Sequence, residues 1–68
     1  MYVTPKLALF RQRAMLSQRE LAALAEVRQA TISGLEHGAT ARPQTIRKLA
    51  RALGVETGML AVPAEVQR

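Results

Sequence analysis

Sixty-eight residues, 49% of them apolar, carry ten Lys or Arg against five acidic residues, for a formal charge of +5; this composition describes one small basic domain with a thin core. The chain has no cysteine and a single histidine, which excludes disulfides and leaves too few ligands for a metal site. No apolar run approaches the roughly 18 residues of a membrane span, and the opening MYVTPKLALFRQRA breaks its apolar part with Arg11 and Arg13, unlike a signal peptide.

Thr4 and Pro5 are expected to open the first helix, with proline at its favoured first position. Leu7, Phe10 and Ala14 follow at i, i+3 and i+7, so this helix buries one stripe and should end near Met15. Ser17 and Glu20 have the spacing of a capping box, in which each side chain satisfies a free backbone N–H at the helix start. Leu21, Leu24 and Ala25 continue the inward face of this second helix, with Ala22 available for close packing.

Only Glu26 to Arg28 separate it from a third helix, RQATISGLEHG, residues 28–38. Thr31, Ile32 and Leu35 face inward, and Gly38 can take the left-handed conformation that closes a helix. Its outward positions are Gln29, Ala30, Ser33 and Gly34. That face is small and uncharged where a solvated helix would carry Glu, Lys or Arg, and glycine within a helix costs about 1 kcal/mol relative to alanine. The loop GATAR then leads to Pro43 and the helix PQTIRKLARAL, with Ile46, Leu49, Ala50 and Leu53 inward and Arg47, Lys48 and Arg51 outward. Gly54 ends it, VETGMLAV supplies a short fifth helix, and PAEVQR reads as a frayed tail. The expected division is a domain over residues 1–62 and a tail over 63–68. No segment shows sustained strand alternation, so the fold class is all-α.

Two short helices joined by a three-residue turn have the helix-turn-helix geometry, in which the second helix lies in the DNA major groove. A flank that must fit a groove about 12 Å wide gives the bare face of the third helix a reason. The positive charge points the same way, toward a polyanion, although charge for solubility alone would give the same number. LSQRELAALAEVRQATISGLEHG resembles the helix-turn-helix of the Cro and phage-repressor family of bacterial transcription factors, and RPQTIRKLARALGV resembles that family's fourth helix. The similarity covers roughly residues 5–62. It implies a five-helix, lambda-repressor-like domain that binds operator DNA, usually as a two-fold dimer.

Base contacts are then expected from Arg28, Gln29, Ala30, Ser33 and Gly34. Gln29 can bond adenine through both ends of its amide. Ala30 either touches a thymine methyl or is plain surface, and Ser33 bonds a base edge or a phosphate. Gly34 acts by leaving room, or else eases packing on the first helix. Phosphate contacts are expected from Gln18, Arg19, His37, Arg42 and Gln44, where helix starts offer free N–H groups to anions. Arg11 and Glu36 match a pair that in this family ties the first helix to the end of the third, a structural role. Two positions depart from the family. Glu26 stands where glycine is common, and Arg28 stands where Ser or Thr often caps the recognition helix.

The expected function is a sequence-specific transcriptional regulator, a repressor of a two-fold operator, with double-stranded DNA and a second copy of the chain as partners. Leu60, Val62 and Val66, joined by Met59, are the apolar candidates for the dimer interface. No cofactor, metal, membrane or small-molecule ligand is expected, and the location is cytoplasmic. The alternative is the antitoxin of a toxin pair, or another protein-interaction module; a longer partner-binding segment would favour it. An enzyme is excluded for want of a nucleophile with its base, a metal site or a phosphate loop.

Overall fold

The computed structural model describes residues 1–64. In chain order they form β1 (Tyr2–Val3), α1 (Leu7–Arg13), α2 (Gln18–Ala25), α3 (Gln29–Glu36), α4 (Pro43–Leu53), α5 (Thr57–Leu60) and β2 (Val62–Pro63). Five helices agree with the expected architecture. Each contributes one fully buried aliphatic side chain to a common centre: Leu7, Leu21, Ile32, Leu49 and Leu60. Burying such a side chain is worth about 1.5–3 kcal/mol. Ala22, Ala25, Ala41 and Ala50 fill the space between, where alanine lets backbones approach closely. α2 lies at the middle, packed on both α3 and α4.

The four longer helices close in one way. One or two residues beyond each helix end the chain turns left-handed: Met15 (φ 60°), Glu26 (φ 59°), Gly38 (φ 99°) and Gly54 (φ 69°). The next N–H then reaches back five residues to a carbonyl of the last helical turn. Leu16 donates to Arg11 at 3.1 Å, Val27 to Ala22 at 3.0 Å, Ala39 to Gly34 at 2.9 Å and Val55 to Ala50 at 3.0 Å. This is the Schellman arrangement. The glycines at 38 and 54 were legible as stops, and Glu26, where the family commonly has glycine, takes a positive φ that glycine would adopt without strain. Met15 was not anticipated: nothing in its side chain favours the left-handed region.

Several expectations need correction. α1 starts at Leu7, not at Pro5; Thr4 is buried and its carbonyl accepts the Leu7 N–H at 3.1 Å, so a turn precedes the helix. Ala14 lies beyond the last helical residue and is exposed, because the chain is already turning toward Met15. Leu24 is 61% exposed. At about 100° per residue the buried arc of α2 is centred between Leu21, Ala22 and Ala25, and Leu24 falls well outside it. It borders a shallow groove with Glu26, Lys48 and Arg51.

A two-stranded antiparallel sheet was also missed. Tyr2 lies opposite Pro63 and Val3 opposite Val62, and Tyr2 exchanges backbone hydrogen bonds with Ala41 at 2.9 and 2.8 Å. Strands of two residues are too short to show alternation. Pro63 and Ala64, assigned by sequence to the tail, take part in this closure, with the Ala64 N–H donating to the Met1 carbonyl at 3.0 Å. The rest of the expected tail, 65–68, lies outside the described residues.

The strain at Met15 yields a test. A left-handed non-glycine residue costs about 1–2 kcal/mol, and Met15 is 88% exposed, so its side chain buries little in return. Met15→Gly is expected to raise stability by about 1 kcal/mol, read as a higher urea midpoint at unchanged slope.

Candidate nucleic-acid interface

α2 and α3 are joined by Glu26, Val27 and Arg28, the three residues expected. The turn is built from three local decisions. Ser17 caps α2, accepting from the Glu20 N–H at 3.0 Å, while the Ser17 N–H donates to Glu20 Oε1 at 2.8 Å. The left-handed Glu26 stops the helix, and Val27 packs half-buried against the core. Arg28 then starts α3 in an extended conformation without a side-chain cap.

The inward face of α3 is Ile32 and Leu35, both buried. The opposite flank is open: Arg28, Gln29 and Ala30 are exposed, and Ser33 and Gly34 are half-buried. The five residues expected to meet bases therefore share one accessible surface. Gly34 does not ease packing on α1. A Cβ built there would meet only the Ala39 Cβ, at 3.6 Å, an ordinary contact. A methyl group at this position would fit the fold.

The residues expected to meet phosphate divide into two groups. Arg19, Arg42, Gln44 and His37 are exposed. Arg42 is the N-cap of α4 without a side-chain cap bond, and Gln44 follows Pro43 in its first turn. His37 places Nδ1 2.7 Å from the Ser33 carbonyl, which directs Nε2 away from the helix. Gln18 is different: half-buried at the start of α2, it donates from Nε2 to Glu36 Oε1 at 3.0 Å.

That carboxylate is the hub. Arg11 grips it at both oxygens, Nε to Oε2 at 2.6 Å and Nη2 to Oε1 at 3.1 Å, and donates from Nη1 to the Leu16 carbonyl at 2.9 Å. The side chains are 14% and 7% exposed, so the pair is largely withdrawn from water. The assignment of Arg11 and Glu36 to structure agrees with this geometry. Sequence reasoning missed the third member, Gln18, and the Leu16 carbonyl; no spacing signal links residues 18 positions apart on different helices.

A family model described as helix-turn-helix matches residues 7–60, which contain the whole of α1 to α5. The chain belongs to the Cro and phage-repressor type of helix-turn-helix family. No curated relative matches it. Membership makes this a DNA-binding regulatory domain, and the family is generally non-enzymatic. Among the described residues no helix is long and apolar enough to cross a membrane. In this family's terms α3 is the recognition helix, and its open flank is the surface described above.

Hydrogen bonding from Arg11 holds the Glu36 carboxyl below the usual carboxylate range, opposed by burial and helped by Gln18. A carboxyl whose folded pKa is depressed contributes stability at pH values above its unfolded pKa, about 4.3, and that stability is lost as pH falls through the folded value. The urea midpoint of the protein is expected to fall on acidification below about pH 4.3. Glu36→Gln should be less stable at pH 7 and show a shallower acid decline.

Proposed function

We propose that the chain is a repressor which binds a two-fold operator as a homodimer in the cytoplasm, reading bases with α3 and gripping phosphates with the starts of α2 and α4. The observation that carries this reading is the flank of α3. It is open to solvent, nearly free of charge and kept small at Gly34 although a Cβ would fit there. Solvation would favour charged residues there, and helix propensity would favour alanine over glycine. Close approach to base edges favours what is present.

Arg28, uncapped and at the positive end of a helix dipole, costs about 0.3–1 kcal/mol locally. A guanine or phosphate contact offsets that cost. Arg19 and Arg42 flank the recognition helix in sequence on either side and supply exposed cations for backbone binding. For the second copy, Leu60 is withdrawn as an interface residue because it is fully buried in the domain's own core. Val66 lies outside the described residues. Met59, 56% exposed, and the half-buried Val62 remain, and the proposed contact centres on α5 and β2.

Selection from a random duplex library tests the reading directly: the winning site is expected to be a palindrome with half-sites about one helical turn apart. A short asymmetric site would overturn the dimer. On the selected site Gln29→Ala is expected to weaken binding by about 1–3 kcal/mol and relax preference at one base pair; equal loss on random DNA would count against base reading. Gly34→Leu is expected to remain folded by circular dichroism while losing operator binding. If it binds normally, the bare flank does not face the groove.

A further inference from the structure

The hydrogen bond between Gln18 and Glu36 has a fixed direction. A carboxylate in an ion pair has no proton to give, so the Gln18 amide must present its nitrogen to Glu36. A reversed amide would set oxygen against oxygen. The amide nitrogen carries two hydrogens, and Glu36 occupies one of them. The other is left for a second acceptor. A phosphate, like a carboxylate, only accepts, so it too requires the nitrogen end.

We propose that Glu36, the last residue of the recognition helix, is a positioning residue for DNA backbone binding: it holds the Gln18 amide so that the second N–H donates to a phosphate at the start of α2. This rests on the reading of Gln18 as a phosphate contact. Arg11 completes the device. Its two bonds to the carboxylate neutralise a charge that would otherwise repel the phosphate. Its third bond, to the Leu16 carbonyl, fixes the backbone one residue ahead of the Ser17 cap. The aim of one polar side chain thus depends on α1, on the end of α3 and on the segment leading into α2. An anion orients a donor toward another anion, which is possible because the amide has two hydrogens to share.

Plain electrostatics and the proposal predict opposite signs. Removing a negative charge from a protein that binds DNA strengthens binding by Coulomb attraction alone. The proposal requires Glu36→Gln to weaken it. The test is a double-mutant cycle on the full chain, with Gln18→Ala, Glu36→Gln and both together, titrated against a random-sequence duplex and corrected for the folded fraction measured by circular dichroism. Each single change is expected to weaken binding about fivefold to tenfold, the scale of one hydrogen bond, and the double variant to be no weaker than either. Additive losses, or tighter binding by Glu36→Gln, overturn the proposal while leaving Gln18 a phosphate contact. No loss from Gln18→Ala overturns the phosphate reading itself, and the proposal with it.

Should Glu36→Gln fail to fold, the unaltered protein supplies a second readout. Of the two side-chain amide protons of Gln18, one is expected to shift strongly in a nitrogen-edited NMR titration with the same duplex while its twin, held by Glu36, moves little. Equal movement of both, or of neither, overturns the proposal.

Discussion

The fork between Arg11 and Glu36 is the constraint on which the arrangement turns. α1 is only seven residues long and supplies one fully buried side chain, Leu7, with Phe10 half-buried against the core, a small apolar area to set its direction. The guanidinium supplies the missing direction. It locks α1 against the far end of α3, and the same group holds the Leu16 carbonyl, so the chain enters α2 from a set position. A pair so sheltered is expensive to break singly, about 3–5 kcal/mol, because the survivor is left without its counter-charge. That is a large share of the 5–15 kcal/mol that keeps ordinary domains folded. A domain with an alanine-rich core has little reserve to absorb it.

Against this rigid frame the open flank of α3 is conspicuous for what it lacks. Stability would be served by alanine at position 34, glycine at positions 15 and 26, and serine or threonine at position 28. Position 34 lies on the open flank of α3 and position 28 at its start, and at both the local preference of the helix is overridden. Positions 15 and 26 are helix stops whose strain the surrounding hydrogen bonds tolerate. Under the proposed function the two kinds of departure have different causes, and only the first kind bears on recognition.

Much of the frame was legible. The helices announce themselves through apolar spacing, through Ser17 with Glu20, through Pro43 and through Gly38 and Gly54, because each of these acts over a few residues by a mechanism local to the backbone. Leu24 misled because i+3 from Leu21 is compatible with an inward stripe, and only the packing of α2 between α3 and α4 decides where the arc is centred. Leu60 misled for a related reason: a four-residue helix shows too little periodicity to tell a core side chain from a surface one. The strands were invisible because their pairing joins the two ends of the domain. On the interface, the exposed residues followed from helix geometry, whereas the attachment of Gln18 to Glu36 is a long-range contact that no spacing encodes.

The pairing at Tyr2 has a reach beyond tidying the termini. Its backbone is bonded on one side to Ala41 and lies across from Pro63 on the other, and Ala41 immediately precedes Arg42, the residue that starts α4. The second residue of the chain therefore helps to steer a side chain forty positions further along. Whatever is attached ahead of Tyr2, or removed with it, acts on the loop that leads into α4, which makes this strand an unsuitable place for a purification handle.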